Sequence, residues 1–218
     1  MTTIQTICAW ALPIIFAITV HEAAHGYAAK LLGDKTAYLL GRVTLNPLKH
    51  LDPVGSVIVP LILLILGGIV LGWAKPVPVT GANFKHPRRD FAIVSAAGPI
   101  ANFAMAILWA AIAKVGVIMV VNQLYGGRAL YAMGIAGIVI NLMLMLVNLL
   151  PVPPLDGGHI LASLLPKSWS RVYSKLEPFG LIIILLLLWL GVLARLLRPL
   201  MLFLLRFITE VLFQLPRW

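Results

Sequence analysis

The sequence predicts an all-α polytopic membrane protein: a bundle of about four to six transmembrane helices, with a re-entrant segment and a small membrane-associated β-hairpin or sheet. Three observations carry that prediction. The chain is 61% hydrophobic and only 11% charged, against about 25% charged for a soluble domain. Several stretches approach or exceed the ~20 apolar residues that span a bilayer. The basic residues behind the net charge of +10 sit between apolar stretches rather than on a soluble face. That is the ordinary topology signal of membrane proteins and argues against a nucleic-acid partner. One domain is expected over 1–218, with a core at about 4–165 and C-terminal membrane segments at about 178–215.

The first helix reads from about Ile4 to Leu32 and stops at Gly33-Asp34. Its start, MTTIQTICAWALPII, has no Lys or Arg, so it lacks the basic region of a signal peptide and is expected to be retained. Cys8 is the single cysteine, which excludes an internal disulfide and a thiolate metal cluster. The stretch KTAYLLGRVTLNPLKHLDP reads as short strands and turns, from its Tyr/Leu/Val/Thr content and Asn46-Pro47. Residues 54–73 are apolar but interrupted by Pro60 and Gly67-Gly68, and WAKPVPVTGANFKHPRRD is again extended and polar.

Loop charge assigns sides. Lys30, Lys35, Arg42 and Lys49 precede 54–73, and Lys75, Lys85, Arg88 and Arg89 follow it. Both ends therefore favour the cytoplasmic side, which one crossing cannot satisfy. A re-entrant or interfacial helix at about 54–66, turned back at Gly67-Gly68, resolves the parity; an ordinary crossing that overrides the charge bias is the alternative. A long helix follows from about Arg89 to Val121, then one from about Leu130 to Leu150, ended by the prolines of NLLPVPPLDGG. A short helix from about Gly158 to Leu165, an apolar run at 179–194 and a Leu-rich segment broken at Pro199 complete the chain. That last segment carries Arg195, Arg198, Arg206 and Arg217. It reads as lying along the interface with its arginines at lipid phosphates, or as a second crossing.

The chemistry sits in the first helix, at His21, Glu22 and His25 of TVHEAAHGY. This is H-E-x-x-H, the signature of a zinc site with a carboxylate base. Residues four apart lie one turn apart on nearly one face, so both imidazoles can meet one metal. Glu22 projects about 100° round the axis from His21, close enough to reach a water on that metal without being a ligand. There it would take a proton and later return it to the leaving amine. Shuffling this composition produces the pattern on the order of once in a thousand sequences. Histidines bonded to helix carbonyls, with Glu22 facing a watery cavity, are the plainer alternative; ionisable groups in hydrocarbon are costly and need a partner.

Catalytic zinc takes three protein ligands plus water. Asp156 is the best third: it is one of seven acidic residues, in a bent Pro/Gly loop on the side toward which His21 and His25 lie. Its alternative is an Asx-turn or helix N-cap before Gly157-Gly158. Asp34, Asp52 and Asp90 fall in cytoplasmic loops, and Glu177 looks solvated. Arg42 and His50 read as lipid-headgroup contacts, with substrate contact as the alternative, and His159 reads as a helix-end residue or a support behind the ligands.

HEAAH, AAGPIANF and NLLPVPPLDGG together resemble the site-2 protease family of intramembrane zinc metalloproteases. The matches span residues 21 to 159, and the N-x-x-P-x-x-P-L-D-G arrangement is what makes them specific. The resemblance implies zinc ligands His21, His25 and Asp156, with Glu22 as base. It also implies that Asn148, eight residues before Asp156, holds substrate backbone or steadies an oxyanion; a helix C-terminal cap is its alternative. Gly98, Pro99 and Asn102 match the family's G-P-x-x-N helix and read as structural. The family places a small sheet near the site, where a substrate strand can add to an edge, and KTAYLLGRVTLN and GWAKPVPV are the candidates. A hairpin that only shields the metal is the alternative.

No stretch of this sequence is long or polar enough for a PDZ domain between core helices or a C-terminal CBS pair. The implied function is therefore that of a minimal intramembrane zinc endopeptidase. It would cut within or near transmembrane segments of membrane proteins, in regulated intramembrane proteolysis, toward the cytoplasmic side of a bacterial or archaeal cell membrane. Its partners would be a transmembrane protein substrate, membrane lipid, and a partner protein if substrate selection is not built in. Two rivals remain. A metal or proton transporter would carry ionisable groups on several helices and often repeated halves; the apolar stretches 93–118, 130–147 and 179–194 carry only Lys114, and no repeat appears. An inactive helix-binding relative would have lost a ligand or the base, and neither is lost. Two histidines and a carboxylate also hold iron elsewhere; zinc rests on ligand type and on the resemblance.

Overall fold

The computed structural model describes residues 3–52, 55, 58 and 75–216. Helix α1 spans Thr3–Leu31, about 43 Å at 1.5 Å per residue, longer than the ~30 Å hydrocarbon layer. Pro13 inside it removes one N–H, which a membrane helix tolerates when neighbours satisfy the freed carbonyl. The helix stops at Gly33, whose φ of +113° suits only a residue without a Cβ. Asp34 then accepts bonds from the backbone N–H and hydroxyl of Thr36, at 3.0 and 2.5 Å, and starts the single turn α2, Thr36–Leu39.

The longer elements that follow among the described residues are helices too: α3 Pro87–Val121, α4 Gly127–Asn148, α5 Asp156–Leu164, α6 Lys167–Ser174, α7 Gly180–Trp189 and α8 Val192–Arg206, continued by a π-helical turn at Phe207–Leu212. Among the described residues, four stretches are long and apolar enough to cross a bilayer: Gln5–Leu31, Pro87–Val121, Gly127–Asn148 and Lys167–Trp189.

Small residues draw the central helices together. A Cβ on Gly134 would stand 2.6 Å from the Ala113 Cβ, and one on Gly137 would stand 2.2 Å from the Trp109 ring. Bare backbones at these points let α3 and α4 pack as a close antiparallel pair. In lipid such packing, rather than exclusion of apolar surface from water, drives helix association. Trp109, Ile138, Leu142 and Ile208 fill the core between α3, α4 and the C-terminal segment. Helix α1 packs against both α3 and α4, and α5 against α3. From Leu193, packed with Leu150, α8 and its π turn run back along α4 until Pro216 O accepts the Tyr131 hydroxyl at 2.8 Å. Arg195, Arg198 and Arg206 are exposed along this path.

The expected β-hairpin is corrected: no strand occurs among the described residues. In KTAYLLGRVTLN, the Asp34 cap initiates a helical turn, and Gly41 reverses the chain at φ +65°. In GWAKPVPV, Pro76 and Pro78 remove alternate N–H donors, which a strand ladder cannot spare. Residues 75–80 are extended but bond elsewhere. The re-entrant expectation at 54–66, with its turn at Gly67-Gly68, falls on residues outside the described ones, apart from Gly55 and Ile58.

Candidate metal centre

Helix α1 carries His21 and His25 on one face, turned into the bundle and buried at 7% and 9% exposure. After α4 ends, the chain folds back sharply through Pro151–Leu155. Gly157 and Gly158 permit that fold, since a Cβ on either would meet backbone of Leu149 or Pro153 at 2.2–2.5 Å. Asp156 is therefore the first residue of α5 rather than its cap, and makes no capping bond. Its carboxylate faces the two imidazoles instead: Oδ2 lies 3.3 Å from His21 Nε2 and Oδ1 lies 3.4 Å from His25 Nε2. The two Nε2 atoms are 3.0 Å apart, with the rings edge-to-face at 85°.

The other ring nitrogens define the protonation. His25 Nδ1 is 2.7 Å from Val94 O, a carbonyl that can only accept, so Nδ1 carries the proton. His21 Nδ1 is 2.6 Å from Asn102 Oδ1 and donates likewise. With each ring neutral, as a metal ligand must be, both Nε2 lone pairs would face each other and the carboxylate. Asp156 Oδ2 is accordingly buried without a hydrogen-bond partner. Converging lone pairs of this kind call for a cation. Ligands about 2.05 Å from a tetrahedral zinc are about 3.3 Å from one another, close to the 3.0–3.4 Å measured here. These three residues are the group suited to a metal among the described residues, and they fit zinc.

Gly98 of α3 lines the same spot: a Cβ there would lie 2.4 Å from His25 Nε2 and 2.5 Å from His21 Cε1. Its small size thus makes room for both imidazoles as well as for helix packing. Glu22 is half-buried, and its Oε2 accepts the Val77 N–H at 3.0 Å, which joins the extended segment 75–80 to the motif. That segment is held from two further sides. Arg42 Nη2 donates to Lys75 O at 2.8 Å, and Asp34 accepts the Thr80 N–H at 2.6 Å and Asn83 Nδ2 at 2.8 Å.

Arg42 and His50 are buried, at 9% and 2%, and bonded to backbone, His50 through Nε2 to Thr44 O at 2.9 Å. This corrects their expected headgroup contact: they brace the linker. His159 stacks edge-on against Phe91, with centroids 5.3 Å apart, and takes no part in the triad. Asn148 ends α4, and its Nδ2 donates back to Leu144 O at 3.0 Å within the same helix. Sequence reasoning missed the Asn102 contact to His21, the Val94 carbonyl behind His25 and the Val77 N–H on Glu22. The signal for Asn102 was its place as a lone amide inside an apolar helix; backbone groups leave no sequence signal.

The profile of Peptidase family M50 matches residues 110–191, a range that contains Asn148 and Asp156 and follows the histidine motif. A Bacillus subtilis (strain 168) protein named "Putative zinc metalloprotease YwhC" is 39% identical over 181 residues, covering 80% of this chain and 77% of the relative. "Putative zinc metalloprotease Rip2" of Mycolicibacterium smegmatis is 29% identical over 175 residues, and that of Mycobacterium tuberculosis (strain H37Rv) 30% over 184. The chain spans 64% and 66% of those two relatives. No solved structure matches the chain.

Proposed function

The chain belongs to peptidase family M50, the site-2 proteases, and from that premise we propose that it hydrolyses peptide bonds within or near transmembrane segments, toward the cytoplasmic side. It is a multi-pass membrane protein and a zinc metalloprotease. The residue assignment proposed is His21, His25 and Asp156 as ligands, Glu22 as base and Asn148 as a donor to substrate backbone or oxyanion. The observation that carries it is the meeting of two imidazoles and a carboxylate inside the bundle, supplied by the apolar helix α1 and by the first residue of α5.

Zinc held by His21, His25 and Asp156 would supply Lewis acidity, toward a scissile carbonyl and toward the attacking water. The chain's own residues do the rest. Glu22 removes the proton of the attacking water and returns it to the leaving amine, general acid–base work contributing typically 10²–10⁴-fold. The Val77 N–H holds one Glu22 oxygen, leaving the other for the proton. Asn148, to act on substrate, exchanges its bond to Leu144 O for one to the scissile segment. Basic residues concentrated between α1 and α3 support the cytoplasmic assignment.

The test is cleavage of a model transmembrane substrate by the purified, zinc-loaded protein beside Glu22→Gln. The variant is expected to keep zinc and lose at least ~10²-fold in rate. Equal rates would remove Glu22 from the mechanism, and zinc-loaded wild type without cleavage would favour transport or helix binding. Labelling of a cysteine at exposed Ala82, in a Cys8→Ser background, is expected only from the cytoplasmic face.

A further inference from the structure

Behind His21 the buried amides form a directed chain across three helices. Asn102 of α3 has two hydrogens on Nδ2, and both are engaged, by Ala17 O at 3.1 Å and Asn141 Oδ1 at 2.9 Å. Its Oδ1 is thereby turned to His21 Nδ1, 2.6 Å away. Asn141 of α4 is oriented in turn, because its Nδ2 donates to Gly137 O at 2.9 Å. Both amides are fully buried. Backbone carbonyls only accept, so Ala17 O and Gly137 O set the sense of the whole row.

We propose that Asn141 is a positioning residue for the zinc centre, acting through Asn102 to fix the tautomer and orientation of His21. A flipped Asn102 would set an N–H against His21 Nδ1, drive the ring proton to Nε2 and block that ligand. Asn141 Oδ1 disfavours the flip, because the flip would oppose two oxygens and leave a buried donor unpaired. His25 needs no such device: its partner is a backbone carbonyl, which cannot turn round. The inference rests on His21 being a zinc ligand, and it adds a residue that touches neither metal nor substrate.

The test is zinc affinity, by chelator competition, of the full-length protein in detergent, read beside apo-protein thermal stability. Loss of a partner behind a ligand weakens metal binding about 10–100-fold. Asn102→Ala is expected to fall in that range and Asn141→Leu to lose about 10-fold. Asn141→Ala, which only deletes, should weaken zinc in the same way. Asn141→Asp should stay within about 3-fold of wild type, since a carboxyl oxygen still accepts from Asn102 and a protonated one can still donate to Gly137 O. Adding Asn141→Leu to Asn102→Ala should cost nothing more in zinc affinity, because the pathway is already cut. A merely structural Asn141 would lower apo stability without moving the affinity of the folded protein. Wild-type affinity in both Asn141→Leu and Asn141→Ala, an Asn141→Asp as weak as they are, or additive losses would each overturn the proposal. Unchanged zinc affinity in His21→Ala would instead overturn the ligand assignment, and the relay with it.

Discussion

The α1–α3–α4 bundle and the C-terminal pair α7–α8 are both apolar, yet they are built on different terms. The bundle is made of glycine, alanine and a few fully buried polar groups: Asn102 and Asn141 are inaccessible, and Gly98, Gly134 and Gly137 have no room for a Cβ. The α7–α8 pair is rich in leucine, with isoleucine in α7 and exposed arginines in α8, and little of it is buried; Ile182, Leu186 and Trp189 are more than half exposed. Helix α7 is the more hydrophobic by composition and the less packed. In a bilayer, hydrophobicity places a helix in the membrane but does not hold it to its neighbours; close backbones and hydrogen bonds do that. The metal centre lies in the region that follows the second rule.

Substitutions can break or sharpen this contrast. The largest effect is expected for Asp156→Ala, which removes one of three donors: zinc content of the purified protein should collapse, measured by metal analysis, and unchanged content would refute the ligand. Next comes Gly98→Ala. One methyl is ordinarily trivial, but here it would press on both imidazoles, so zinc affinity should drop by about 100-fold while the helices still form by circular dichroism.

Gly137→Val tests packing away from the metal. Overfilling the contact with Trp109 should cost about 1–3 kcal/mol, seen as a lowered Tm in detergent. The linker clasp is more modest and depends on pH. Burial pushes the Asp34 carboxyl up, but bonds from Thr36, Thr80 and Asn83 outweigh it and hold it below the ordinary 3.8. Its folded pKa is thus depressed, so its contribution is present above 3.8 and lost as pH falls through the folded value. Hydrogen exchange at Thr80 and Asn83 should rise on acidification below that point. Asp34→Asn should show raised exchange already at neutral pH. At the small end, Leu186→Ala on α7 should change zinc affinity not at all and stability by less than about 0.5 kcal/mol.

Much of the site was legible because its logic is local. His21 and His25 share a helix, where a spacing of four settles which face they occupy. Asp156 was legible because an acid among prolines and glycines at the end of an apolar run has few other uses there. The β-hairpin was misread because Tyr, Val and Thr favour strands only when partners are present to pair with, and Pro76 and Pro78 deny that pairing. Arg42 and His50 were misplaced at the surface because a charge in a loop reads as solvated until the structure shows the carbonyls that receive it.

By itself the sequence determined the class of the molecule, several helices apolar enough to cross a membrane, and two imidazoles and a carboxylate of the kind zinc takes, since composition and helical period act within a single segment. Only the tertiary structure decided which atoms converge. It is the fold that sets Asn102 and Val94 behind the histidines, closes Gly98 onto their rings, turns Asp156 inward instead of letting it cap α5, and brings the Val77 N–H to Glu22. Those arrangements depend on how closely α1, α3 and α4 approach, and that distance is a property of side chains missing from facing helices, which no one segment records.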